Sequence, residues 1–206
     1  MNSESKPLNL IISGVGGQGN VLASQILGRA AVRKGLRVTI GETFGLSQRG
    51  GPVMSHIRFS SNTRLGPLIP PNMAHIIVGL EPLEAIRILM EYGNDETVFV
   101  VNSRPIYPLN VIVGDVEYPD PEWIRNTLNA SGSRLFWLDA TRMAVDLGGH
   151  IMLNMIMLGA LCALPAFPIE NNDIREIIKV FFKKSNLELN YRALTIGEGL
   201  VSENEN

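Results

Sequence analysis

Gly14, Gly16, Gly17 and Gly19 crowd one short stretch, G-V-G-G-Q-G, between the apolar run Leu8–Ile12 and a helix-period segment from about Gly19 to Lys34. The chemistry such a stretch supports is anion binding. A strand that turns on glycines into a helix brings free backbone N–H groups and the positive end of the helix dipole to one point, which favours phosphate. Glycine is required because a Cβ would clash in the turn or block close approach. Gly14, Gly16 and Gly19 fit G-x-G-x-x-G in the strand-to-helix context of the dinucleotide fingerprint. Glu42, closing a second strand read over Arg37–Gly41, lies within loose range of a ribose-binding acid, so NAD or FAD stays open as a ligand. A P-loop has the same outer glycine spacing, but Asn20 and Val21 replace its Lys and Ser/Thr, and an NTPase reading fails there. Glycines that only let the helix pack close to the sheet are the plainer alternative.

Other groups offer little chemistry. His56, His75 and His150 lack metal-ligand spacing, and no G-x-S-x-G elbow is present. Cys162, the one cysteine, sits in an apolar run where a thiolate is costly; a disulfide framework, a zinc site or an iron–sulfur cluster needs more thiols. The chain offers a binding crevice without a catalytic apparatus, so its chemistry is expected to belong to a partner or cofactor.

The elements that must position this loop follow from periodicity. Strands are read over Val53–Ser60, Ala74–Leu80, Thr97–Asn102, near Val111 and over Leu135–Asp139. Helices are read over Pro82–Tyr92, Glu122–Asn129, His150–Leu164, one capped by the pair Asp173/Glu176, and Asn186–Leu194. In Val53–Ser60, His56, Arg58 and Ser60 share a face with Met54. That face is read as solvated, with Arg58 exposed; lining the same cleft as the glycine loop is the alternative. Alternating strands and helices predict an α/β fold: a Rossmann-like, doubly wound, mostly parallel sheet with helices on both faces. Its ligand site belongs at the carboxyl ends of the strands, where Asn102 and Asp139 are pocket candidates or helix caps.

The chain has 206 residues, 45% hydrophobic and 18% charged, with a net charge of −2. One domain over 1–206 is expected, with its core at about 8–199 and a polar tail at 201–206 lacking fixed structure. Scattered Lys and Arg argue against nucleic acid, and a surface poor in charge points to a covering partner. The N-terminal residues lack a signal peptide's apolar segment, and Ile151–Leu164 is too short to span a bilayer, so a cytoplasmic location is expected.

Three motifs together resemble a known family. G-V-G-G-Q-G at Gly14–Gly19, E-T-F-G-L-S-Q-R-G-G at Glu42–Gly51 and V-M-S-H-I-R at Val53–Arg58 are similar to the gamma-type subunit or domain of 2-oxoacid:ferredoxin oxidoreductases. The S-Q-R-G-G-x-V-x-S-H-x-R version resembles the indolepyruvate ferredoxin oxidoreductase branch, where this subunit is called beta. The resemblance runs from about Leu8 to Gly199 and takes in Asn154 and Asn190; His75 departs from it, standing where the family commonly has aspartate. It implies an enzyme that decarboxylates arylpyruvates oxidatively to acyl-CoA and passes electrons to ferredoxin. Thiamine diphosphate and the iron–sulfur clusters are then expected on a large alpha subunit, with this chain completing the hetero-oligomer and inactive alone. Gly14, Gly16, Gly17, Gln18, Gly19, Glu42, Gln48, Arg49, Gly50 and Gly51 are the expected site residues, with coenzyme A as a candidate shared ligand. A free-standing NAD/FAD oxidoreductase and a non-catalytic scaffold or small-molecule-binding module are the alternatives.

Overall fold

The computed structural model describes residues 7–44 and 51–203. In chain order the elements are β1 Leu8–Val15, α1 Asn20–Arg33, β2 Arg37–Phe44, β3 Pro52–Ser60, β4 Ile76–Gly79, α2 Pro82–Tyr92 and β5 Val98–Asn102. They continue with α3 Leu109–Ile112, α4 Pro121–Ser131, β6 Arg134–Leu138, α5 Ala140–Leu147, α6 Leu153–Cys162, α7 Asn171–Phe181 and α8 Lys184–Glu203. The strands form one mixed sheet in the order β2-β3-β1-β4-β5-β6. β1, β4, β5 and β6 pair parallel, whereas β3 is antiparallel to both β1 and β2. The physical reason is length: a parallel return needs a crossover of a dozen or more residues, and the 45–51 connection is too short for one.

Each face of the sheet buries one apolar cluster. On one side Leu10, Ile12, Ile57 and Val100 pack under α1, α5, α6, α7 and α8; on the other Ile11, Ile77, Phe99 and Val101 pack under α2 and α4. α6 is buried almost all round, which explains its continuous apolar sequence and makes Met155 and Met157 core residues. It crosses α8 with almost no gap. A Cβ on Gly159 would strike the Leu194 backbone, and one on Gly197 the Ile156 carbonyl, so both positions exclude any larger residue.

Several expectations are corrected. The Met54–Ser60 face of β3 is not solvated, because β3 lies inside the sheet with chain 62–74 beside it. His56 is fully buried; its Nδ1 accepts the Ile69 N–H at 3.3 Å and its ring stands edge-on to Tyr92. Burial holds the His56 pKa below the ordinary imidazole value. Arg58 is half-buried and donates to Asn9 Oδ1, Gly66 O and Leu68 O. No strand forms near Val111: between Pro105 and the 113–118 segment no neighbouring strand is available, and the chain makes the single helical turn α3 on the Pro108 carbonyl. α5 escaped the periodicity reading, although Asp139 caps its start and Gly148 ends it. The capping box of α7 is formed by Glu170 and Asp173 rather than Asp173 and Glu176. α8 continues through buried Val201 to Glu203, so helix replaces the first part of the expected 201–206 tail; 204–206 lie outside the described residues. His75 accepts the Asn9 N–H on Nδ1 at 3.0 Å, a bond that an aspartate could also accept.

Candidate functional site

β1 runs further than its apolar core, to Val15, so Gly14 is still strand and the turn is confined to Gly16–Gly19. The Gln18 N–H donates to the Val15 carbonyl at 3.1 Å, and the Gly16 N–H donates to the Gly51 carbonyl at 2.8 Å. Gly17 (φ 105°) and Gly19 (φ 85°) both take left-handed backbone. The Gln18 side chain folds back to brace the turn: Oε1 accepts the Val15 N–H at 2.6 Å and Nε2 donates to the Leu80 carbonyl at 2.9 Å. A Cβ on Gly14 would fall 2.5 Å from Gln18 Oε1, so a side chain there would displace this brace. Gly19 is the N-cap of α1 and supplies no side-chain cap, so the first-turn N–H groups of a 14-residue helix remain for a ligand.

A cavity of about 720 Å³ opens where Gly17, Gln18 and Gly19 meet the carboxyl end of β5. Its polar lining is Asn102, Arg104, Thr141, His150 and Asn154; its apolar lining is Leu22, Pro105, Ile106, Ile151 and Leu153. Among the described residues no carboxylate lines it. Asn102 is locked in place: Nδ2 donates to the Leu80 carbonyl at 3.1 Å and to Thr141 Oγ1, while Oδ1 accepts the Thr141 N–H at 3.0 Å. Arg104 and His150 are exposed at the rim. Donors, the Arg104 guanidinium, an imidazole and an apolar wall, with no acid among the described residues, suit an elongated ligand with an anionic group at one end.

The expected site residues divide. Gly17, Gln18 and Gly19 line the cavity, while Gly14 and Gly16 shape the turn behind it and Gly51 accepts from that turn. Glu42 is not brought to the cavity. Its carboxylate accepts from the hydroxyls of Ser24 on α1 and Ser55 on β3 at 2.6 and 2.5 Å, so the ribose acid that a dinucleotide site uses is missing from the lining. Gln48, Arg49 and Gly50 lie outside the described residues. Asp139 caps α5 through its bond from the Arg142 N–H, at 3.4 Å. Arg104, Thr141, His150 and Asn154 had not been singled out as site residues. The strand-end rule could have found Arg104, just past Asn102, and a polar residue inside an apolar helix flags Asn154.

A second group of titratable side chains lies at the start of α2. Glu81 caps it, accepting from the Glu84 N–H and from the Tyr118 hydroxyl. Burial pushes the Glu84 carboxyl up to about 7, against the pull of Arg87 at 2.8 Å. Burial likewise raises the Cys162 thiol. Among the described residues no group of three or more His, Cys, Asp or Glu is placed to hold a metal ion, and no helix is long and apolar enough to cross a membrane.

Residues 9–198 match the family model described as pyruvate ferredoxin/flavodoxin oxidoreductase. The chain is similar to indolepyruvate oxidoreductase subunit IorB of Thermococcus kodakarensis, at 34% identity over 96% of this chain and 98% of that protein. Its fold matches the keto/oxoacid ferredoxin oxidoreductase gamma subunit of Geobacter sulfurreducens, with TM-score 0.69, 19% identity and coverage of 95% and 99% of the two chains. It also matches the 2-oxoglutarate:ferredoxin oxidoreductase of Magnetococcus marinus, solved with 2-oxoglutarate, coenzyme A and succinyl-CoA bound. There the TM-score is 0.76 at 24% identity over 97% of this chain, which spans only 32% of that one.

Proposed function

The chain belongs to the pyruvate ferredoxin/flavodoxin oxidoreductase family, and from that premise we propose that it is the small companion subunit of an indolepyruvate-type 2-oxoacid:ferredoxin oxidoreductase. Its partner is a large alpha subunit bearing thiamine diphosphate and iron–sulfur clusters. The complex converts a 2-oxoacid, coenzyme A and oxidised ferredoxin to acyl-CoA, carbon dioxide and reduced ferredoxin. A single cysteine cannot ligate a cluster, and Cys162 is also one whose thiolate burial disfavours. The chain works in the cytoplasm as one domain.

This chain's own share is to bind coenzyme A. The observation that supports it is the cavity on the glycine loop, which no carboxylate of the described residues lines. Uncapped N–H groups of α1, with Arg104 and His150 at the rim, suit the phosphates, and Leu22, Pro105, Ile106, Ile151 and Leu153 suit the less polar body. Exposed apolar side chains crowd the neighbouring segment, Ile106, Tyr107, Leu109, Ile112, Val113 and Val116, and Ile151 adds to them. Such a patch supports docking of the large subunit beside the cavity, so that the thiol of coenzyme A reaches the partner's reacting centre.

The test is co-expression with the large subunit, followed by size exclusion and an anaerobic assay of dye reduction dependent on indolepyruvate and coenzyme A. Activity is expected only in the fraction where both chains elute together. Full activity of the large subunit alone, with an unchanged KM for coenzyme A, refutes the proposal.

A further inference from the structure

The two edges of the sheet differ. β6, at one edge, is five residues long. β2, at the other, is eight, and its register with β3 runs unbroken from Arg37 opposite Ser60 to Phe44 opposite Val53. In an antiparallel ladder every second residue of an edge strand turns its N–H and C=O outward, away from its neighbour. Among the described residues the backbone of 37–44 has no backbone partner other than β3. Proteins commonly blunt such an edge with Pro, Lys, a bulge or a short strand. The strand R-V-T-I-G-E-T-F contains neither Pro nor Lys, and its ladder has no bulge. An apolar groove of about 460 Å³ lies on the same strand, lined by Gly28, Arg29 and Val32 of α1 and by Val38 and Ile40 of β2, and Val32 is 62% exposed. A partner that satisfies this edge must supply an extended strand and an apolar surface together.

We propose that β2 is a self-association edge: two copies of this chain pair β2 to β2, antiparallel, about a twofold axis normal to the sheet. A second β2 supplies both requirements. β3 already holds it extended, so pairing does not repeat the entropy cost that a flexible peptide would meet. The axis keeps both α1 helices on the same side of the joined sheet, so the groove of Val32, Val38 and Ile40 on one copy meets the same groove on the other. Ile40, near the middle of β2, then stands close to its twin. Antiparallel pairing also holds the two exposed Arg37 side chains at opposite ends of the seam, where parallel pairing would set them side by side. The contact is separate from docking of a large subunit on α3, because α3 follows β5, four strand positions across the sheet from β2.

Sedimentation velocity of the full chain at about 1 to 100 micromolar tests this, with hydrogen exchange of the β2 amides read on the same samples. Native protein is compared with Thr43→Lys on the strand and Val32→Lys beside the groove. Both positions are exposed, so each variant should keep the native thermal midpoint when dilute and monomeric. Native chain is expected to pass from monomer to dimer over this range, with amides of 37–44 gaining protection as it does. Each lysine occurs twice across the axis and sets like charges at the seam, so association should weaken about tenfold in either variant. Co-elution with the large subunit should be unaffected by both substitutions. A native chain that stays monomeric throughout overturns the proposal. A dimer that both variants form as tightly as native places the contact elsewhere and also overturns it. If protection of 37–44 appears only when the large subunit is added to monomeric chain, the edge is filled by that subunit, and the second copy is rejected.

Discussion

Gln18 and Asn102 donate to the same acceptor, the Leu80 carbonyl, at 2.9 and 3.1 Å. Leu80 directly follows β4, Gln18 lies in the turn after β1, and Asn102 ends β5, so one carbonyl ties together the carboxyl ends of three adjacent parallel strands. The glycine loop is thereby fastened to the sheet before any ligand arrives.

Gln18→Ala removes that tie and leaves the Val15 N–H without its acceptor. The expected loss of stability is about 1–3 kcal/mol, the cost of an unmade hydrogen bond in a partly buried site. The loop should also lose its shape, so affinity for coenzyme A falls with stability. Urea unfolding and ligand titration on one preparation check both. A variant with native affinity would mean that the backbone alone holds the turn.

Gly17 and Gly19 share left-handed backbone but not surroundings. Nothing lies within 4 Å of a Cβ at Gly17, whereas one at Gly19 meets Asn154. Gly17→Ala should cost only backbone strain, about 1 kcal/mol, while Gly19→Ala adds a clash and costs clearly more. Thermal unfolding of the pair decides; equal costs would show that Asn154 simply moves aside.

How much of this was legible in the sequence depends on whether local or tertiary physics decides. The strand-loop-helix unit was readable because glycines, apolar runs and caps act locally, and α2 starts and ends where Pro82 and Tyr92 suggested. The polarity of His56 and Arg58 misled, since what covers β3 is the irregular chain 62–74 that follows it and folds back over the strand, which alternation within the strand does not show. Val111 and Ile112 have strand propensity but no strand to pair with, so context overrode it. Glu42 fits a fingerprint by spacing, yet only the fold places Ser24 and Ser55 within reach of its carboxylate. Arg104, Thr141 and Asn154 come from three separate segments, and no local pattern joins them.

Leu109 is 74% and Ile112 68% exposed on α3, a helical turn with no buried residue. Leu109→Glu and Ile112→Glu should therefore change the chain's own stability by no more than about 0.5 kcal/mol. If this face docks the large subunit, either variant abolishes co-elution at micromolar concentration. Unaltered co-elution of both variants places the interface elsewhere.

Glu84 predicts a pH dependence. Its side chain is 9% exposed, and burial raises its carboxyl from the ordinary 4.5 to about 7, with the neighbouring Glu81 adding to the rise and Arg87 opposing it. Between those two values the folded state keeps a proton that the unfolded chain releases. The contribution to stability is therefore complete below pH 4.5 and is lost as pH climbs through 7. The corresponding free energy is at most about 3 kcal/mol. Glu84→Gln fixes the neutral form, so urea unfolding from pH 5 to 8 should show native stability declining relative to the variant, with most of the divergence reached by pH 8. Parallel profiles would mean that Arg87 keeps Glu84 ionised throughout, and the buried start of α2 would then be holding a charged pair.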